Sequence, residues 1–241
     1  MNAIIDHLVI AADSLEQGAA WCGATFGVQP SGGGKHPLMG THNRVIAISS
    51  ESFPDCYLEV IAIDPDAPAP GRPRWFGLDH PEVREAVRES PRLVHAVART
   101  RKIEMLRQDL ANFALNPGEL LAAQRDTPDG LLKWRITVRD DGRAECGGAL
   151  PSLIEWEGQH PCAHMPLTDV ALQGLVLRGV PTQAVHVLKL PAVQTSPILQ
   201  NAPLTATLES PRGRVVLEAW HAEGLSQSCR FGRSRETRLD A

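Results

Sequence analysis

Nowhere in this 241-residue chain do two cysteines stand in a C-x-x-C pair. Cys22, Cys56, Cys146, Cys162 and Cys229 are scattered, so neither a zinc ribbon nor a disulfide framework is indicated. Aromatic residues are few, 5% with a single tyrosine, and a net charge of −4 is spread without a basic stripe, which argues against nucleic acid as a partner. No apolar run approaches the roughly 20 residues that a membrane span needs. The opening MNAIIDHLVIAADS has no basic leader, and Asp6 and His7 interrupt its apolar run, so it makes a poor signal-peptide core. A cytoplasmic protein without a membrane partner is expected.

What is present suits a globular α+β chain. The apolar fraction is 43% and the charged fraction 22%, enough for a real core. IIDHLVIA (4–11) is rich in branched residues and reads as a buried strand. Asp13 and Ser14 offer an N-cap to LEQGAAWCGATF, and Gly27 stands where a helix-terminating glycine belongs. RVIAIS (44–49) and YLEVIAI (57–63) read as strands, with room for one more short strand inside 31–43. Proline-rich DPDAPAPGRP (64–73) reads as a linker, followed by a short helix over HPEVREAVRE. The pattern then recurs: RLVHAVART (92–100) as strand, KIEMLRQDLANFAL as helix with Ile103, Leu106, Leu110 and Phe113 inward, LLKWRITV and PSLIEWEG as strands. Two copies of one unit, about residues 3–62 and 91–158, are expected. A tail unit to residue 222, with a helix at TQAVHVLKL and a hairpin across Pro211-Arg212-Gly213, resembles a shortened third copy, and 223–241 reads as a loose terminus.

Aligned on their apolar runs, both first strands carry a histidine, His7 and His95, and both last strands a glutamate, Glu59 and Glu155. Alternate strand residues share a face, so His7 points with Ile5 and Val9, and His95 with Leu93 and Val97. Asp6 is expected on the opposite face, at the surface or behind the site. A glutamate among Val, Leu and Ile is costly unless paired or bound to a cation. Two imidazoles and two carboxylates related by a pseudo-twofold would make a four-ligand site for a divalent metal (zinc, nickel, manganese or iron).

These residues resemble a known family. His7 in IDHLVI and Glu59 in YLEVIAI, in paired β-α-β-β-β units, look like the vicinal oxygen chelate superfamily of glyoxalases, bleomycin-resistance proteins and extradiol dioxygenases. GGGKHPLMGTHN, YLEVIAIDP and SLIEWEG-x-HP look like its glyoxalase-like domain branch. The resemblance implies a cupped mixed sheet whose first and last strands aim metal ligands into the cup: His7, Glu59, His95 and Glu155, with Glu155 or Glu59 as the base.

SGGGKHPLMGTHN (31–43) is not a phosphate loop, because His36 follows Lys35 and a helix precedes it. Its three glycines permit close backbone approach. It is expected to lie over the pocket mouth, with His36, His42 and Asn43 contacting substrate. Trp75, Trp134 and Trp156 read as packing or pocket walls, and His160, His164, His186 and His221 show no matching spacing. The expected function is a metal-dependent isomerase or lyase acting on a small α-oxo compound through an enediolate. The alternatives are a metal-free protein that sequesters a small molecule, or a ring-cleaving dioxygenase using His7, His42 and Glu59. Pairing of two chains is left open.

Overall fold

The computed structural model describes residues 2–128 and 130–219. The expected loose terminus, His221 included, lies outside the described residues. Each unit opens as strand then helix. In the first, β1 (Ile4–Ala11) leads to α1 (Leu15–Phe26), where Ser14 Oγ accepts the Gln17 N–H at 3.1 Å. Gly27 ends that helix in the left-handed region, φ +76. There follow β2 (Ser31–His36), β3 (Thr41–Ala47) and β4 (Tyr57–Ile63). After 64–80 and a helix α2 (Pro81–Glu89), the second unit runs β5 (Arg92–Arg99), α3 (Ile103–Ala111), β6 (Glu119–Thr127), β7 (Gly130–Val138) and β8 (Ser152–Glu157).

The eight strands form one mixed sheet in the order β2-β3-β4-β1-β5-β8-β7-β6. Within each unit the first strand pairs parallel to the last, β1 with β4 and β5 with β8. β1 and β5 run antiparallel at the centre, with His7 opposite Val97 and Val9 opposite His95. That exchange is the signature of a pseudo-twofold axis between them, the paired βαβββ cup that the sequence implied. Two bulges break this ladder: Asp6 is the extra residue on β1, and Val94 on β5, each immediately before its histidine.

One face of the sheet packs on α1, α3 and a second sheet through Leu8, Ile10, Leu58 and Leu153. Such fully buried aliphatic side chains each contribute roughly 1.5–3 kcal/mol. The concave face is filled by the segment joining the units: Trp75, Phe76, Val83 and Val87 pack on Val9, Ile61, Val97 and Ile154. The sheet curls so far that edge strand β6 reaches its other end, Arg125 donating to Asn43 Oδ1 of β3, the neighbour of edge strand β2, at 3.0 Å.

The second sheet comprises β9 (Ala171–Arg178), β10 (Val193–Ser196), β11 (Leu204–Ser210) and β12 (Gly213–Glu218), in the order β10-β9-β11-β12, with α4 (Thr182–Leu188) after β9. Its first strand pairs parallel to its second, so its strand order differs from that of the first two units. Two local expectations change. α3 stops at Ala111 and Phe113 is left 46% exposed instead of inward. β6, unexpected from its sequence ELLAAQRDT, forms the far edge and among the described residues pairs with β7 alone.

Candidate functional site

His7 and Glu59 come together on the concave face. Glu59 Oε2 lies 3.6 Å from His7 Nε2 and both side chains are almost wholly buried. The His7 ring stacks on Tyr57, centroids 4.5 Å apart. The other carboxylate oxygen, Glu59 Oε1, accepts from Asn43 Nδ2 at 2.5 Å. That amide is oriented from behind, because its oxygen receives the Gly34 N–H at 2.9 Å and Arg125 Nη1 at 3.0 Å. An amide so held presents a donor, not a metal-binding oxygen, to Glu59.

Asp6 lies behind His7, one of the two places expected for it, but not on the opposite face. The bulge breaks strand alternation, so Asp6 is wholly buried beside His7 and its Oδ1 accepts from His7 Nδ1 at 2.6 Å. Burial pushes its carboxyl up, but hydrogen bonds from His160 and His7 and their charges outweigh that and hold it well below the usual carboxylate range. Tyr57 and Arg125 gave no signal in the sequence and His160 showed no matching spacing; a tertiary contact between distant strands leaves no periodic mark.

His95 does not join this pair. Its Nδ1 donates to Gly148 O at 3.1 Å, and its Nε2 accepts the Ser152 N–H at 3.1 Å beside the Ser152 hydroxyl at 2.9 Å. Burial lowers its pKa to about 3, so the ring is neutral and both nitrogens are committed. Glu155 also stands apart, paired with Arg135 in the wall of a broad outer groove of about 1180 Å³. The strand register explains why. Val9 stands beside Glu59 and Val97 beside Ser152, so the pseudo-twofold that carries His7 onto His95 carries Glu59 onto Ser152. Matching the apolar runs instead placed Glu155 three residues too far along and on the other face. Among the described residues no group of three or more His, Cys, Asp or Glu side chains is arranged to hold a metal ion.

The glycine-rich stretch is mostly strand. Lys35 Nζ is tied to Asp64 at 2.8 Å. His36 faces the cup, its Nδ1 3.1 Å from Thr41 Oγ1, edge-on to Trp75 and Trp134. Burial first, then the charges of Arg125, His7 and His42, lower its pKa to about 3. Asn43 lines the cup; His42, one residue earlier on β3, is not among the lining residues. The space left between His7, Glu59, Asn43, Trp75, Trp134 and Trp156 is about 30 Å³, room for one or two waters. Two donors in these walls are buried without a partner: Arg125 Nε and Trp75 Nε1.

Residues 5–190 match the family described as a glyoxalase-like domain. The chain belongs to that family. This glyoxalase-like protein is thereby a member of the vicinal oxygen chelate superfamily. A hypothetical protein from Staphylococcus aureus shares its fold, at 15% identity and TM-score 0.51 over 90% of this chain and 86% of that one. Methylmalonyl-CoA epimerases are more distant. The Streptomyces coelicolor enzyme, in complex with 2-nitronate-propionyl-CoA, gives 14% identity and TM-score 0.41 over 66% and 99%. The Mycobacterium tuberculosis enzyme gives 12% and 0.38 over 67% and 91%. No curated protein matches the glyoxalase-like chain in sequence. Among its described residues no helix is long and apolar enough to cross a membrane.

Proposed function

We propose that this glyoxalase-like protein moves a proton at the carbon next to a carbonyl of a small α-oxo compound, as an isomerase or lyase does, with Glu59 and His7 as the acid–base pair. One observation carries the reading: a carboxylate oxygen and an imidazole nitrogen stand 3.6 Å apart in the lining of one small buried cavity. That separation is too long for a direct hydrogen bond, and it leaves both atoms free to face a reacting group in the cavity beside them.

The four-ligand metal site expected from the family does not fit these residues. Ser152 occupies the place of the second carboxylate, and His95 has no lone pair left. The chemistry is therefore derived from side chains alone. Glu59 Oε2 takes the proton from carbon, and the electron pair moves onto the carbonyl oxygen to give an enediolate. The Nε2 lone pair of His7, whose Nδ1–H is held by Asp6, takes that proton over from Glu59, and the imidazolium so formed returns it to carbon. Arg125 Nε and Trp75 Nε1 are the unpaired donors available to the developing oxyanion. Substrate reaches them from the outer groove, which shares Arg125, Trp134 and Trp156 with the inner cavity. The wall between the two must open, since two waters' worth of space holds no α-oxo compound.

The test is deuterium wash-in at the α-carbon of a panel of α-oxo and α-hydroxycarbonyl compounds in D2O, followed by proton NMR. Exchange above the buffer rate that is lost in His7→Gln supports the reading. Binding without exchange for every compound that binds would sink it and favour a sequestering protein.

A further inference from the structure

Asp6 accepts hydrogen bonds on both carboxylate oxygens and joins His7 to Trp156 and His160. Oδ1 takes the His7 Nδ1–H at 2.6 Å. Oδ2 takes Trp156 Nε1–H at 3.0 Å and His160 Nε2–H at 2.9 Å, with the Arg99 guanidinium 3.8 Å away. Indole nitrogen can only donate. His160 has no choice either, because its Nδ1 accepts the Cys162 N–H at 3.2 Å, leaving the proton on Nε2. His160 begins the HP pair of the SLIEWEG-x-HP stretch and had no assigned part. It also lines an open depression of about 490 Å³ with Arg99 and Trp156.

We propose that Trp156 and His160 are positioning residues: by claiming Oδ2 of Asp6 they turn Oδ1 onto His7 and fix the His7 ring in the Nδ1–H tautomer, with the Nε2 lone pair toward Glu59. The importance of that tautomer rests on the proton-transfer reading above. The proposal itself concerns the imidazole and is read without substrate.

Asp6→Asn should reverse the His7 tautomer. An amide has one oxygen and one NH2 group. Two N–H donors, from Trp156 and His160, compete for that oxygen on one side and a single donor, His7, on the other. The oxygen goes to the pair, the NH2 meets His7 Nδ1, and Nδ1 must become an acceptor. The proton then moves to Nε2, as happens when the orienting carboxylate of a catalytic histidine is replaced by an amide.

Long-range proton–nitrogen spectra of protein labelled with ¹⁵N-histidine, taken at alkaline pH where imidazoles are neutral, report the tautomer. The unsubstituted protein should show His7 as Nδ1–H, and Asp6→Asn should show it as Nε2–H. Adding Trp156→Phe and His160→Ala to Asp6→Asn removes the competing donors and should restore Nδ1–H. Retention of Nδ1–H in Asp6→Asn, or failure of the triple variant to revert, overturns the proposal. Should Asp6→Asn not fold, Trp156→Phe/His160→Ala with Asp6 intact carries the test. Its His7 Nδ1–H should exchange with solvent at least about tenfold faster, the effect of losing about 1.4 kcal/mol of restraint, and an unchanged rate overturns the idea. A tautomer switch with no α-carbon exchange would leave this proposal standing and remove the proton-transfer reading; exchange with no switch would do the reverse.

Discussion

Two buried histidines make the fold acid-sensitive, and the size of the effect follows from the structure. His36 and His95 are 6% and 1% exposed, and burial lowers each from 6.5 to about 3. In the unfolded chain both take up a proton below about pH 6.5, while in the folded chain they stay neutral until about pH 3. Their stabilisation is therefore complete above 6.5 and is lost progressively as the pH falls toward 3. At pH 5 each lies 1.5 units below its unfolded value, which at 1.36 kcal/mol per unit is about 2 kcal/mol, or about 4 kcal/mol for the pair. Urea denaturation at pH 8 and pH 5 measures the loss, and His95→Gln isolates one contribution. Glutamine can still donate to Gly148 O and accept from Ser152 N–H, but it does not titrate. The variant should lose about 2 kcal/mol less than the parent between the two pH values. An identical pH slope in parent and variant would refute the neutral, doubly bonded His95 on which the site's description depends.

Other outcomes follow from the same geometry. Gly33→Ala should destabilise the protein by at least about 2 kcal/mol in thermal or urea unfolding, since its φ is +87 and a Cβ would lie 2.1 Å from Asn43 O. Gly32→Ala, whose Cβ meets only Val45 Cγ2 at 3.8 Å, should cost only the roughly 1–2 kcal/mol of the left-handed backbone; equal costs would contradict the edge-strand placement of β2. Asn43→Ala removes the link among Gly34, Arg125 and Glu59. About 1–3 kcal/mol of stability should go with it, and hydrogen exchange should quicken in β2 and β6 ahead of β1 and β5; uniform protection across all four would count against the closure of sheet edges by Arg125.

The paired architecture was legible because the central strands are buried on both faces. IIDHLVIA, YLEVIAI and RLVHAVAR read as apolar runs whatever their neighbours. The edge strands left a weaker mark: SGGGKH falls where the sequence left room for one short strand, and ELLAAQRDT lacks clean alternation; pairing with β3 and β7 orders them. His7 and Glu59 could be found because β1 and β4 run side by side in simple register. Glu155 was misplaced because an apolar run does not encode register, and β8 enters its pairing with β5 at Ser152. Asp6 was expected at the surface or behind the site; it stands behind His7, turned off the opposite face by a bulge that strict two-residue alternation cannot foresee. Arg125 reaches the site from the far edge of the sheet, a contact that exists only once the cup has curled.

The comparison of two glutamates tests the central claim most directly. Deuterium wash-in at the α-carbon of an exchanging α-oxo compound should be abolished by Glu59→Gln and left within about twofold by Glu155→Gln, a difference under 0.5 kcal/mol in barrier. Glu155 is paired with Arg135 outside the cup, while Glu59 faces His7 within it. Loss of exchange in Glu155→Gln with Glu59→Gln active would contradict the account and return the base to the second unit.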